Sequence, residues 1–221
     1  IGKEGLEKSF NPILIGKAGK REIEVNSKGR IIREISKIDS IKGEEIFLSI
    51  DLRIQEYAIN LLKSYRAGSI NIINIKNGEI LCMASTPTYD PNKIIKKPNQ
   101  EYWESILSNS LSPLTNRSLQ GLYSPGSTFK MIVAIAALKY GVINSNSTQS
   151  CSGKIEFGNR IYHCWKTNGH GKMDVTNAIK QSCDVFFYEI SKKLGIDKIA
   201  EVAEDFGLGQ IFDISIPNQK K

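Results

Sequence analysis

Gly121-Leu122-Tyr123-Ser124-Pro125-Gly126-Ser127-Thr128-Phe129-Lys130 runs on into Met131-Ile132-Val133-Ala134-Ile135-Ala136-Ala137-Leu138, and the reading of this 221-residue chain turns on that stretch. Pro125-Gly126 makes a turn. The almost wholly apolar run from Phe129 to Leu138 predicts a helix buried on most sides and closed near Gly141. Ser127 and Lys130, three apart at the start of that helix, lie on one face, one turn from each other. The spacing puts a lysine amine within reach of a serine hydroxyl. A buried amine gives up its charge readily, because desolvation favours the neutral form, and can then accept the serine proton. The helix N-terminus also favours negative charge developing at the serine. Ser-x-x-Lys occurs once in the chain. The plainer reading is a capping serine. However, a lysine at the start of the most apolar helix costs energy unless it has a partner or a role, which favours chemistry.

Working outward, Ser182-Cys183-Asp184 places a hydroxyl and a carboxylate two residues apart after a short helix. The same pattern recurs at Ser49-Ile50-Asp51, and its plain reading at 182–184 is an N-cap for Val185-Phe186-Phe187-Tyr188-Glu189. Upstream, a second unit begins near Ile46. Asp51 is a candidate N-cap for a helix over 52–62. Strands over 69–75 and 79–83 flank Asn77-Gly78, the strongest short hairpin signal. Cys82 in the second strand reads as a buried small apolar residue. Residues 86–118, rich in Pro, Asn and Ser, read as irregular surface-covering chain. Residues 145–173 read as a polar loop, followed by helices near 175–194 and 197–206. At the N-terminal side, 21–25 and 30–35 flank the turn-forming Asn26-Ser27-Lys28-Gly29 and predict a hairpin in a small accessory module. The whole reads as α+β.

The formal charge is +7, with 30 basic and 23 acidic residues. The basic residues are scattered, and no Lys/Arg cluster interleaved with aromatics occurs, which argues against a nucleic-acid partner. No stretch approaches the apolar length of a membrane span. Ile1-Gly2-Lys3-Glu4-Gly5 lacks the regions of a signal peptide, so an anchor is expected only upstream of Ile1.

Cys151, Cys164, His170 and Cys183 offer three thiolates and an imidazole, the donor set of a closed tetrahedral zinc site. Their spacing lacks a tight Cys-x2-Cys knuckle, and three readings stay open: a structural zinc, a Cys151–Cys164 disulfide, or free thiols. His163 is an alternative ligand. His170 is preferred because its flanking glycines let the backbone approach a metal closely.

Ser127-x-x-Lys130 and Ser182-x-Asp184 resemble the first two motifs of penicillin-binding proteins and serine β-lactamases, Ser-x-x-Lys, Ser-x-Asn/Asp and Lys-Thr/Ser-Gly. Ala84-Ser85-Thr86-Pro87-Thr88-Tyr89-Asp90-Pro91-Asn92, Asn116-Arg117, the stretch 121–130 and Gly169-His170-Gly171 look like class B penicillin-binding proteins. Cys164-Trp165-Lys166 through Gly171, with 182–188, is similar to their elongation-specific branch, penicillin-binding protein 2. The run from Gly5 resembles the end of that branch's pedestal. The likeness covers nearly the whole chain.

The resemblance implies a penicillin-binding transpeptidase fold, with residues 1–43 the end of a β-rich pedestal and 44–221 the first part of the transpeptidase domain. It makes Ser127 the acylated nucleophile, Lys130 its base, and Ser182 a proton relay. Asp184, where most relatives have Asn, orients Lys130 and the substrate amide. Peptidoglycan stem peptides, β-lactams and elongation-machinery membrane proteins are the implied partners, at the periplasmic face of the bacterial inner membrane. No cofactor is expected for catalysis. Some relatives keep a metal beside the active site, with Asp replacing some Cys. No Lys-Thr-Gly or Lys-Ser-Gly occurs; Lys166-Thr167-Asn168 precedes the second motif instead of following it. A truncated chain lacking the C-terminal inner strands is therefore expected. Two alternatives accompany this reading: a class D-like β-lactamase or β-lactam sensor, and an inactive remnant that only binds partners.

Overall fold

The computed structural model describes residues 2–95 and 99–217, and these fall into two compact units. The first takes the chain up to Leu122 together with the segment from Phe212; the second is Tyr123–Ile211. In chain order the first unit holds α1 (Gly5–Ser9), α2 (Asn11–Leu14), β1 (Lys20–Val25), β2 (Ile31–Ile38), α3 (Leu52–Leu62), β3 (Gly68–Ile73), β4 (Ile80–Thr86), α4 (Pro91–Ile95), α5 (Gln100–Leu107) and α6 (Arg117–Gln120). The second holds a 3-10 turn (Gly126–Phe129), α7 (Lys130–Lys139), β5 (Thr148–Cys151), β6 (Lys154–Phe157), β7 (Arg160–His163), β8 (Gly171–Asp174), α8 (Val175–Lys180), α9 (Asp184–Leu194) and α10 (Ile196–Asp205).

The expected N-terminal hairpin is β1–β2, antiparallel with two bulges. Asn26 builds its turn: the side-chain oxygen accepts from the N–H groups of Lys28 and Arg30, both at 3.0 Å. Neither strand buries a residue, in keeping with an accessory module. Asp51 caps α3, accepting from Arg53 N–H at 2.9 Å and Ile54 N–H at 3.3 Å. This local role accounts for the second Ser-x-Asp pattern. Ala58 and Leu62 of α3 pack on Cys82 and Ala84 of β4, and Cys82 is fully buried as the sequence suggested. The Gln55 amide exchanges two 2.9 Å bonds with the backbone of Met83, so a helix side chain satisfies part of the β4 edge. The β3–β4 connection is longer than the Asn77-Gly78 signal implied: Asn74 N–H bonds Glu79 O, and Gly78 takes the positive φ of 78°.

Three expectations need correction. Residues 86–118 are not wholly irregular: α4, α5 and α6 lie within or begin in them. Asn99 caps α5 and Asn116 caps α6 by accepting from Tyr102 and Ser118 N–H. Such short helices are set by caps rather than by periodicity. Residues 145–173 are not a plain loop, because β5 pairs with β8 and β6 with β7. Gly158-Asn159 between Phe157 and Arg160 is itself a two-residue hairpin signal. Finally, α7 is buried on one side only. Val133, Ala134, Ala136 and Ala137 enter the core, while Met131, Ile135 and Leu138 are 52%, 39% and 44% exposed. Apolar composition reports a capacity for burial, and α8, α9, α10 and the 3-10 turn take up one side of it.

That core joins the small-residue face of α7 to Val185, Phe186, Phe187, Ile190 and Leu194 of α9, with Ile199 and Val202 of α10. Ala136 and Ala137 carry no side chain beyond Cβ, which lets α9 approach α7 closely. Cys151, Cys164 and Cys183 are buried in the same cluster, so the packing that fixes α7 against α9 also fixes the candidate site.

Candidate active site

Ser127 lies in the 3-10 turn entering α7 and is an exposed residue. Pro125 carbonyl accepts from the Thr128 hydroxyl at 2.6 Å, which ties the turn down. Lys130 begins α7 with its side chain only 14% exposed. Its Nζ donates to Ser182 O at 2.9 Å, Ser182 Oγ at 3.0 Å and Asp184 Oδ1 at 2.5 Å, and sits 5.9 Å from the Phe187 ring centroid. Ser182 Oγ in turn donates to Ser127 Oγ at 2.8 Å. The four sequence candidates thus meet in one bonded chain, with the Ser182 hydroxyl standing between Ser127 and the Lys130 ammonium.

Residues 175–194 form two helices because of a corner at Gln181–Cys183. Ser182 N–H bonds Ile179 O at 3.1 Å and Cys183 N–H bonds Ala178 O at 2.9 Å, the paired bonds of a Schellman cap. The same pairing closes α7, with Gly141 and Val142 donating to Leu138 and Ala137, and α10, with Gly207 and Leu208 donating to Glu204 and Ala203. Both of those caps put glycine at the left-handed position, with φ of 65° and 81°. Here Ser182 occupies it with φ of 50°, at a cost of about 1–2 kcal/mol for an L-residue. The serine that strains the corner is the one whose hydroxyl and carbonyl hold Lys130. Ser182 therefore caps the preceding helix, and the N-cap of α9 is Cys183, with no side-chain capping bond.

Asp184 faces the site instead of its helix. Its Oδ1 takes Lys130, and its Oδ2 accepts from Trp165 N–H at 3.1 Å. Burial raises its proton affinity, but the Lys130 ammonium and the Trp165 N–H outweigh this and hold the carboxyl below the usual aspartate range. Trp165, to which the sequence reading gave no role, also donates Nε1–H to Gln181 O at 2.9 Å. Its signal in the sequence was a tryptophan in a polar, cysteine-bearing stretch.

The ligand atoms of Cys151, Cys164, His170 and Cys183 all lie within 4.8 Å of one another, and all cysteines are free thiols. His163 is not in this group. His170 Nδ1 is 3.6 Å from Cys151 Sγ and 3.5 Å from Cys164 Sγ. Tetrahedral zinc with ordinary Zn–S and Zn–N bonds spaces sulfur and nitrogen by about 3.5–3.6 Å. The donor set and its spacing fit a metal. His170 Nε2 is buried without a partner among the described residues. Of the glycines flanking His170, Gly171 has open space around it, while a Cβ on Gly169 would stand 2.1 Å from Cys151 O; one on Gly153 would stand 1.9 Å from Thr167 O, so Gly153 and Gly169 let two backbone segments cross. Burial pushes the Cys183 thiol up to about 12. At Cys164 burial acts the same way, but the N–H groups of Lys166, Val185 and Asp184 and the Cys151 side chain bring the thiol below its usual value.

Residues 68–221 match the model of the penicillin binding protein transpeptidase domain, and residues 1–48 that of the penicillin-binding protein dimerisation domain. The chain belongs to the penicillin-binding protein transpeptidase family. Among members of this transpeptidase family, peptidoglycan D,D-transpeptidase MrdA of Escherichia coli K12 is 36% identical over 222 residues, covering 100% of the chain and 35% of the relative. The Salmonella typhimurium LT2 protein of the same name is 39% identical over 212 residues, covering 95% and 34%. The chain thus spans about a third of the length of the curated relatives it matches. A solved complex between penicillin-binding protein PBP2 and MreC from Helicobacter pylori superposes with a TM-score of 0.86 at 31% identity, covering all of this chain and 41% of that one. Pseudomonas aeruginosa PBP2 in complex with WCK 5153 gives 0.84 at 33%, covering 100% and 46%. The expected transpeptidase fold is the observed one.

Proposed function

We propose that the chain carries the nucleophile and proton-transfer groups of a peptidoglycan D,D-transpeptidase, acting on stem peptides that end in D-Ala-D-Ala and on β-lactams that mimic them. The bonded chain Ser127–Ser182–Lys130–Asp184 carries this reading. With Lys130 as the free amine, Ser127 Oγ attacks the penultimate D-Ala carbonyl, the Oγ–C bond forms, and the hydroxyl proton passes to Ser182 Oγ as the Ser182 proton passes to Lys130 Nζ. Ser182 then returns a proton to the departing nitrogen as the C–N bond breaks, releasing D-Ala or opening the lactam. In the second step an amine from a neighbouring strand attacks the ester carbonyl, the new C–N bond forms as the C–Oγ bond breaks, and the amine proton passes through Ser182 to Ser127 Oγ, which regenerates the free serine. Asp184 keeps Lys130 aimed at Ser182. Identity to the MrdA proteins and similarity to the PBP2–MreC complex support a place in wall elongation, beside membrane partners at the periplasmic face of the inner membrane.

Cys151, Cys164, His170 and Cys183 would hold a structural zinc. With four protein ligands such an ion would supply a cross-link and neutralise thiolates. Cys183 lies between Ser182 and Asp184, and Cys164 precedes Trp165, so the ligands frame the residues that hold Lys130.

Lys-Thr/Ser-Gly is absent from the 221 residues, so acylation is measured on this chain itself. A fluorescent penicillin should label it stably, and Ser127→Ala should abolish the label. Rapid turnover of the adduct would indicate a β-lactamase, and no label on a folded chain would overturn the acyltransfer reading in favour of a binding role.

A further inference from the structure

The geometry points to Trp165 as a positioning residue that clamps the Ser182 corner, an inference that rests on the acyl-transfer reading above. The Schellman bonds of α8 use the carbonyls of Ala178 and Ile179. They leave the Gln181 carbonyl, which belongs to the peptide plane entering Ser182. That carbonyl accepts the indole Nε1–H at 2.9 Å. The peptide plane leaving Ser182 is held from the other side, because Lys130 Nζ donates to Ser182 O at 2.9 Å. The two planes flanking one Cα set its φ and ψ. The Schellman bonds hold the N–H side of each plane and Trp165 and Lys130 the carbonyl side, so Trp165 completes the clamp on a left-handed conformation that a serine does not choose by itself.

Trp165 acts twice. Its own N–H donates to Asp184 Oδ2, leaving Oδ1 for Lys130, so the two bonds hold the carboxylate from both oxygens. Burial does not explain the side chain, since Trp165 is 63% exposed. What orients the ring is the Gln181 bond at one point and an edge contact with the His170 ring at 5.2 Å between centroids. A large aromatic whose indole N–H holds the carbonyl that enters a strained residue is placed for orientation.

The test compares the full chain with Trp165→Phe and with 3-benzothienylalanine at position 165, which keeps the indole shape and lacks its N–H. Amide exchange at Ser182 and Cys183 should quicken about tenfold in both variants, the equilibrium value of one hydrogen bond, while amides in the middle of α7 are unchanged. Penicillin acylation should separate the same way: the first-order acylation constant falls about tenfold, and the dissociation constant of the initial complex does not move. Unchanged exchange at Ser182 and Cys183, or wild-type exchange in the benzothienyl variant, would overturn the clamp. Faster exchange in a chain that takes no penicillin even as wild type would uphold the clamp and sink the acyl-transfer reading.

Discussion

Ser182 carries a conflict between stability and chemistry. At the left-handed position of a helix cap glycine is the unstrained choice, and α7 and α10 use it. Ser182→Gly should leave the thermal midpoint unchanged or raise it, by an amount worth about 1 kcal/mol. The same substitution should slow acylation by about 10²-fold or more, because the hydroxyl between Ser127 and Lys130 is gone. A fall in stability without a loss of rate would refute this account of the residue. Ser127 and Lys130 were legible in the sequence because their relation is local: three residues on one helical turn. The interposed hydroxyl was not, since residues 55 apart in the chain meet only through the packing of α7 on α9. Nor was the cap: Ser182 reads equally well as the start of one helix or the end of another, and only the bonds to Ile179 and Ala178 decide it.

Among the elements, the α7–α9–α10 packing sets the site, and two measurements probe it. Ala136→Leu inserts a branched side chain where exposure is 0%, and should cost about 1–3 kcal/mol, read as a lower urea midpoint at unchanged slope. On the surface, Lys139 donates to Glu201 and Asp205, both at 3.0 Å, and joins α7 to α10. A hydrogen bond from Tyr140, then one from Lys139, holds the Glu201 carboxyl below its usual value. Its folded-state value lies below its unfolded one, so its contribution is complete above the ordinary glutamate range, about pH 4.3, and fades as pH falls through the lowered value. Glu201→Gln should therefore be less stable than wild type at neutral pH and equal to it in acid; a difference that persists in acid would contradict the assignment.

The four-residue strands β5–β8 escaped the sequence reading because each is shorter than the window in which alternation can be recognised. Their cysteines were visible all the same, since donor chemistry needs no periodicity. Protein purified without added metal should carry about one equivalent of zinc, and Cys164→Ser should lose it and melt at lower temperature. Metal-free wild type with the melting point of the substituted protein would remove zinc from the account.

At the scale of the molecule, the hairpin of the N-terminal module, the capped helix over 52–62 and the existence of the apolar helix after Ser127 could all be read from local pattern. The division of the described residues at Leu122/Tyr123 could not, because it follows from which segments pack together rather than from any change in composition. The same holds for the open face of α7. The most direct measurement is peptide mapping of the full chain after reaction with a penicillin. Trypsin cuts after Arg117 and Lys130, so Ser127 falls in the peptide 118–130, apart from Ser182. The adduct mass is predicted on that peptide, fragmenting to Ser127 and absent from Ser127→Ala. An adduct on Ser124 or Ser182, or a folded chain that forms none, would contradict the assignment of Ser127 as the nucleophile.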